Sequence, residues 1–292
     1  MRLMRSREWR LRAVFALNGA MIIGLIVVGL AAHSLGLISA AGDYIADALS
    51  IGLSITAVRL ARRAPTARRS FGYGRSTVLA ALVNAALVVA TCAAVVVVAI
   101  QRLIGVTPHV HGVPVIVMSC VAALAMSGGA LILRGDNDLN VRAVLLDTVA
   151  DAATAFGVAL VGVVILTSHG TYWLDPTVAL GVAVIIGYRA IGLVREVSDV
   201  LMESTPRDVD VSAIDAAFRE GSDVLDVHDL HVWGLSSDAR LLSAHLVLAG
   251  HPSLEAAQEV VERAKSMLAT RFGVQHATLE TECEPCASPD PH

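Results

Sequence analysis

The sequence predicts an all-α bundle of six membrane-spanning helices, followed by a small α+β domain. Of its 292 residues, 55% are hydrophobic and 16% are charged, whereas soluble domains carry about a quarter charged residues. Apolar segments of about 20 residues, enough to cross a bilayer, recur through the first two thirds of the chain, and the last of them ends near residue 195. These two observations place the chain in a lipid bilayer.

Six segments have the length and apolarity of a membrane helix. The N-terminal basic stretch and the apolar run after it resemble a signal peptide, but the run is about 20 residues long and lacks a convincing small-residue cleavage site. We therefore predict that it is retained as the first span. The predicted spans are 13–32, 35–58, 77–103, 113–133, 141–167 and 174–195.

The arginines predict the orientation of the spans. Alternate connections, 33–34, 104–112 and 168–173, contain no Arg or Lys, and the basic residues lie on the other side. Because basic connections stay in the cytoplasm, both termini are expected there, in a multi-pass protein of the plasma (inner) membrane. The basic residues are Arg2, Arg5, Arg7, Arg10, Arg12, Arg62, Arg63, Arg68, Arg69, Arg75 and Arg134.

The last third of the chain has the composition of a soluble domain. Ser253 is a plausible cap for its second helix, and Gly273 marks that helix's end. The predicted order αββαβ is typical of a small α+β domain, which divides the chain into residues 1–203 and 204–292. Its predicted elements are helix 209–220, strand 224–234, a turn at 236–239, strand 240–248, helix 253–272 and strand 275–282.

Four aspartates fall inside two of the predicted spans. Asp43 and Asp47 lie four residues apart in span two, and Asp147 and Asp151 repeat the spacing in span five. Residues at this spacing share one helix face. A charge at mid-membrane costs on the order of 3 kcal/mol, so four acids require a reason.

A structural role would require these acids to be neutralised by bases or protons. Arg142 lies a turn or more from Asp147 towards the cytoplasm, and Arg102 and Arg189 lie near span ends, where long side chains reach the interface. Because no base lies at comparable depth, a bound cation or protons must balance the charge. Two such helices can converge four oxygens on one ion, which suits tetrahedral Zn²⁺, while pure oxygen donation also suits Mn²⁺. Metal binding releases protons from carboxylates, which predicts exchange of metal for protons.

Several further segments accompany the two D-x-x-x-D pairs: RSFGYGR at 69–75, Asn84, LNVRAVLLD at 139–147 and VHDLHVW at 227–233. With these residues the chain resembles, over nearly its whole length, the cation diffusion facilitator family of proton-coupled metal exporters. The resemblance implies a homodimer, a metal site between spans two and five, and a ferredoxin-like cytoplasmic domain that binds regulatory metal.

The choice of metal depends on departures from the family pattern. Zinc-transporting relatives usually have His at one of the places held here by Asp43 and Asp147, and manganese-transporting relatives often have acids at both. The FGYGR and HDLHVW segments resemble the zinc branch. We expect Zn²⁺ as the main substrate, with Mn²⁺ as the alternative and Co²⁺, Fe²⁺ and Cd²⁺ as further passengers.

The C-terminal domain carries a second group of possible ligands. Pairing its first two strands about the turn at 236–239 puts residue 228 opposite 247, with His228 and His245 as diagonal neighbours on one face and His231 on the other. A lone strand histidine is more often a packed or surface residue than a ligand, but C-x-x-C near His is typical of metal binding or redox chemistry. The candidate cytoplasmic ligands are His228, His245, His276, Glu282, Cys283 and Cys286.

Other function classes fit the sequence less well. A cation channel or membrane metal sensor would use similar acids without proton exchange, and saturable counterflow would distinguish a carrier. A membrane enzyme would need a motif such as H-E-x-x-H or G-x-S-x-G, and neither occurs. No feature indicates nucleic-acid binding.

Overall fold

The computed structural model describes residues 2–31, 35–105, 113–168 and 173–284. The chain divides into two compact units, Met1–Val197 and Ser198–His292. The first unit is helical in its described residues, and the second combines helices with a small sheet.

Long helices occupy all six segments that the hydropathy pattern selects. Three stretches in the described residues are long and apolar enough to cross a membrane: Ser6–Val27, Arg75–Ile104 and Ile116–Leu133. The helices are α1 (Arg2–Ala31), α2 (Leu35–Ala61), α3 (Arg75–Ile104), α4 (Val113–Leu133), α5 (Leu139–Ser168) and α6 (Leu174–Leu201).

Helices α1, α2, α4 and α5 form the main packing layer of the first unit. Leu11 and Val14 of α1 are buried against Ile51 of α2 and Val144 of α5. Helix α3 packs against α2 and α5. Many large apolar side chains face outward instead, including Leu124, which is 76% exposed. Such outward apolar surface is expected of helices that lipid surrounds.

Helix α1 begins at Arg2, about three turns before the apolar span predicted from residue 13, and charged side chains are buried in this first part of the helix. Glu8 is 5% exposed and forms ion pairs with Arg12, Arg59 and Arg62. Hydropathy could not reveal these pairs, because it treats the basic segment only as a signal for orientation.

The neighbouring Arg7 is also 5% exposed and binds Asp136 at 3.0 Å and Asp138 at 3.5 Å. Asp138 in turn accepts hydrogen bonds from the backbone N–H groups of Asn140 and Val141, at the start of α5. Ion pairs therefore join the beginning of α1 to α2 and to the connection between α4 and α5.

After the end of α6, the described residues of the second unit form two helices and a three-stranded sheet in the order β1-β2-β3. Strands β1 and β2 are antiparallel, and β2 and β3 are parallel. A parallel neighbour requires a crossover, which α8 provides. The elements are α7 (Val211–Phe218), β1 (Val224–Ser236), β2 (Ala239–Leu248), α8 (Leu254–Arg271) and β3 (His276–Glu282).

One face of this sheet carries the core of the unit. Alternate residues of β2, such as Leu242 and Leu246, are buried against Ile214 of α7 and Leu268 of α8. The opposite face carries His245.

Side chains cap the N-termini of α7 and α8. Asp210 accepts from the N–H groups of Ser212 and Ala213 at the start of α7. As predicted, Ser253 caps α8 by accepting from Ala256 N–H, and Gly273 follows the helix with φ +67°.

Candidate metal centres

The first candidate centre lies between α2 and α5. One carboxylate oxygen from each of Asp47, Asp147 and Asp151 lies within 4.8 Å of the others. The three side chains are half-buried. Helix α2 contributes one of them, and α5 presents two on one face because they are four residues apart. Three like charges at this separation repel one another strongly unless a cation or protons balance them.

The fourth predicted acid, Asp43, lies outside the described side chains. Its backbone is one turn before Asp47 in α2. The prediction that Asp43 joins the cluster therefore stays a prediction.

The arginine closest in sequence to these acids is engaged elsewhere. Arg142 of α5 forms an ion pair with Glu196 of α6, with Nη1 and Oε1 2.5 Å apart. The guanidinium is thus directed to α6 and does not neutralise Asp147 in this arrangement.

The second candidate centre lies on the sheet of the C-terminal unit. Glu282 bridges two imidazoles: its Oε2 lies 3.0 Å from His228 Nε2, and its Oε1 lies 2.9 Å from His245 Nδ1. The two rings meet edge to face with centroids 5.0 Å apart. Glu282 is largely buried, at 9% side-chain exposure, while the histidines are 27% and 23% exposed. Two imidazoles and one carboxylate are a donor set that suits Zn²⁺.

The predicted strand register around these histidines is wrong. His228 pairs directly with His245, and Asp226 rather than residue 228 lies opposite Val247. The reason is a set of bulges in β1, one of them between His228 and His231, where Asp229 has φ +51°. An extra residue shifts all later pairings.

The same bulge reverses the predicted position of His231. His231 pairs with Ser243, which is two residues from His245, so His231 lies on the same face as His228 rather than the opposite one. Simple alternation cannot detect a bulge, although H-D-x-H contains a residue type that tolerates positive φ.

Asp229 is a functional candidate that the sequence analysis missed. Its carboxylate lies 2.8 Å from His231 Nε2 and 3.5 Å from His245 Nε2. The hydrogen bond from His231, with the nearby histidine charges, lowers the pKa of Asp229. An ionised carboxylate behind a ligating imidazole orients the ring and raises its basicity.

The remaining predicted cytoplasmic ligands do not join this cluster in the described residues. His276 begins β3 opposite Leu241, whereas Glu280 lies opposite His245 and Glu282 opposite Val247. Six residues of strand separate His276 from Glu282, which is about 20 Å. Cys283 is an exposed free thiol, and Cys286 lies outside the described residues.

Comparison with known proteins matches most of the chain to the two domains of one family. Residues 11–202 match the model of the cation efflux transmembrane domain, and residues 206–284 match the cytoplasmic domain of cation efflux proteins. The chain belongs to the cation efflux, or cation diffusion facilitator, family. It is therefore a membrane protein of a transporter family that exports divalent metal ions, with a C-terminal domain of the dimerisation type.

Relatives in this family carry names that mention specific metals. The chain is 34% identical over 298 residues to the zinc transporter ttm-1 of Caenorhabditis elegans, covering 95% of this chain and 72% of the relative. It is 29% identical over 287 residues to the cation efflux system protein CzcD of Alcaligenes sp. (strain CT14), covering 98% and 90%. It is 27% identical over 285 residues to a cadmium, cobalt and zinc/H(+)-K(+) antiporter of Bacillus subtilis (strain 168), covering 94% and 89%.

Proposed function

We propose that this protein exports Zn²⁺ from the cytoplasm in exchange for protons, using the aspartates of α2 and α5 as its transport site. The observation that carries the proposal is the convergence of Asp47, Asp147 and Asp151 within 4.8 Å. Asp43, one turn from Asp47, is the proposed fourth ligand. The substrate ion supplies the positive charge that draws these carboxylates together.

The choice of Zn²⁺ rests on the relatives rather than on the donor atoms. The relatives' names mention zinc, cadmium and cobalt, which supports a zinc-type substrate. The described ligands of the transport site are all oxygen atoms, and this favours harder ions such as Mn²⁺. Export of Mn²⁺ is therefore the second candidate function.

Proton coupling follows from the chemistry of a carboxylate site. A metal ion binds only deprotonated ligands, so an ion entering from the cytoplasm and protons entering from outside compete for the same oxygens. Alternating access of one site to the two sides then exchanges them. A relative named as a cadmium, cobalt and zinc/H(+)-K(+) antiporter supports such coupling.

The proposed topology has six spans with both termini in the cytoplasm of the cell, in its plasma (inner) membrane. The six long helices and the one-sided arginines support it.

The C-terminal unit is proposed to be a ferredoxin-like domain that holds the protein as a homodimer and binds regulatory zinc. The αββαβ element order and the match to the cytoplasmic dimerisation domain support this. His228, His245 and Glu282 would hold the ion, which would draw β1, β2 and β3 together.

Reconstitution in liposomes tests the proposed transport. Zn²⁺ and Mn²⁺ uptake would be measured with an imposed pH gradient, after the gradient is collapsed, and with the Asp147→Ala variant. We expect faster uptake of Zn²⁺ than of Mn²⁺, a large decrease when the gradient is collapsed, and no uptake by the variant. Uptake that ignores the gradient would contradict proton exchange, and faster Mn²⁺ uptake would support the second candidate.

A further inference from the structure

Four polar side chains meet where α2, α3 and α5 pack together. Ser50 donates a hydrogen bond to Asn84 Oδ1 (2.9 Å), and Asn84 Nδ2 donates to Ser54 Oγ (2.6 Å). Asn140 Nδ2 donates to the backbone carbonyl of Ser54 (3.2 Å). We call Ser50, Ser54, Asn84 and Asn140 the polar junction. Ser54 is its centre, because α3 bonds its hydroxyl and α5 bonds its carbonyl.

The polar junction has a fixed relation to the acid cluster. Ser54 lies seven residues after Asp47 in α2, and Asn140 lies seven residues before Asp147 in α5. Seven residues are two helical turns, about 10 Å along the axis, and return to the same face within about 20°. Both helices therefore present a junction residue and an acid on one face, with the junction on the arginine-rich side.

The junction is not explained by stability. Ser54, Asn84 and Asn140 are 0%, 1% and 0% exposed, and Asn140 Oδ1 has no hydrogen-bond partner in the described residues. A buried acceptor without a partner is destabilising, whereas an apolar side chain of similar shape is often neutral or favourable at such a site. A half-satisfied polar group here requires another reason.

Register provides that reason. The helix faces around the junction are rich in Ala, Val and Gly, and smooth surfaces of this kind pack in several registers with similar energy. Buried asparagines are known to select one register between helices even where they reduce stability. A slip of α2 against α5 would change every distance from Asp47 to the two acids of α5.

The geometry points to Asn84 and Asn140 as positioning residues, which fix α2 against α3 and α5 and so set the size of the metal site between Asp47, Asp147 and Asp151. This inference rests on the proposed transport site. It assigns ion preference partly to residues that touch no ion.

Transport kinetics in liposomes test the inference with Asn84→Leu, Asn140→Leu and Ser54→Ala. We expect each to raise the KM for Zn²⁺, by on the order of tenfold for the asparagines, and to change the ratio of Zn²⁺ to Mn²⁺ uptake. Thermal unfolding of Asn140→Leu should be unchanged or higher. The control is Thr148→Val, because Thr148 is buried and its hydroxyl donates to Val144 O of its own helix. The KM and ion ratio of this variant should match the wild type.

Two further measurements separate positioning from general damage. Asn84→Leu and Ser54→Ala each remove the same hydrogen bond, from Asn84 Nδ2 to Ser54 Oγ. Their effects on the KM should therefore be strongly non-additive in the double variant. Asn84→Gln, which keeps an amide at this position, should have a ratio of Zn²⁺ to Mn²⁺ uptake between those of Asn84→Leu and the wild type. Ser54→Ala removes little side-chain volume, so its transport kinetics can still test the inference if an asparagine variant fails to fold.

Unchanged KM and ion ratio in folded Ser54→Ala and Asn140→Leu would overturn the inference while Asp147→Ala still abolished uptake. If Asp147→Ala instead transported normally, the proposed function itself would fail.

Discussion

The two candidate metal centres of this chain differ in their donor atoms and in the secondary structure that carries them. The membrane centre offers three carboxylates from two helices, all half-buried, whereas the cytoplasmic centre offers two imidazoles and one carboxylate from three strands. Imidazole adds affinity for zinc, and backbone hydrogen bonds of the sheet hold the three strands together. Helices can move against one another, and carboxylates accept protons in place of metal. The difference fits the proposed roles, in which the membrane site releases its ion and the cytoplasmic site retains it.

Removing one charge from the membrane centre should give the largest effect. Asp151→Asn keeps the shape of the side chain but removes a ligand charge, and we expect Zn²⁺ uptake to fall on the order of a hundredfold or more, since even indirect contacts to metal ligands contribute ten- to hundredfold. Liposome flux measures this. Glu196→Gln, which removes an acid of α6 outside the cluster, is the control and should retain most activity; equal losses in both would argue against a specific site.

Exchanging donors between the two kinds of centre should change ion preference. Asp147→His places an imidazole in the membrane site, and we expect the ratio of Zn²⁺ to Mn²⁺ uptake to increase about tenfold, equivalent to about 1.4 kcal/mol of differential affinity. Competition flux with both ions measures the ratio. A ratio equal to that of the wild type would show that the donor at this position does not control selectivity.

Damage to the cytoplasmic centre should affect binding more than transport. In the Asp147→Ala background, His228→Ala should weaken equilibrium zinc binding by about tenfold or more, because one of two imidazole ligands is lost. Alone, His228→Ala should leave uptake at saturating zinc largely intact. His251→Ala, at an exposed histidine outside the cluster, is the control. Complete loss of uptake in His228→Ala would show that the two centres are not separable.

The smallest expected effect concerns the strand that carries His228. Arg219 binds Asp226 at 2.8 Å, and this hydrogen bond lowers the pKa of Asp226. The pair therefore stabilises the fold at neutral pH, and the contribution is lost as pH falls through the lowered pKa. Arg219 also pairs with Asp215 at 3.0 Å. All three side chains are substantially exposed, so Arg219→Gln, which removes both pairs, should cost about 1 kcal/mol or less. Thermal unfolding should show this difference near pH 7 and a smaller one in acid; an equal difference at both would contradict the ion-pair account.

The sequence predicts the elements of this protein well because long-range context is hardly needed for them. Apolar runs of bilayer length set α1 to α6, and alternation with turn residues set β1, β2 and β3. The placement of Asp147 and Asp151 on one face of α5 follows from their four-residue spacing alone. Residue type alone made His228, His245 and Glu282 candidate ligands. Their position next to one another depends on how the three strands pair.

What the sequence could not give depends on irregular backbone and on contacts between distant segments. The bulge at Asp229 altered the register of β1 and the face of His231. The burial of Glu8 among arginines from α1 and α2 requires helices to be packed first. The polar junction at Ser54 joins residues that are 30 and 86 positions apart, and nothing local distinguishes Asn140 from a solvated residue at a helix start.

X-ray absorption at the zinc edge tests the central claim most directly. The full protein with His228→Ala, loaded with one equivalent of zinc, should show a first shell of oxygen atoms at about 2.0 to 2.2 Å without the multiple-scattering features of imidazole. Such a spectrum would place the ion among carboxylates, as the account predicts. Imidazole or sulfur in the first shell would contradict it.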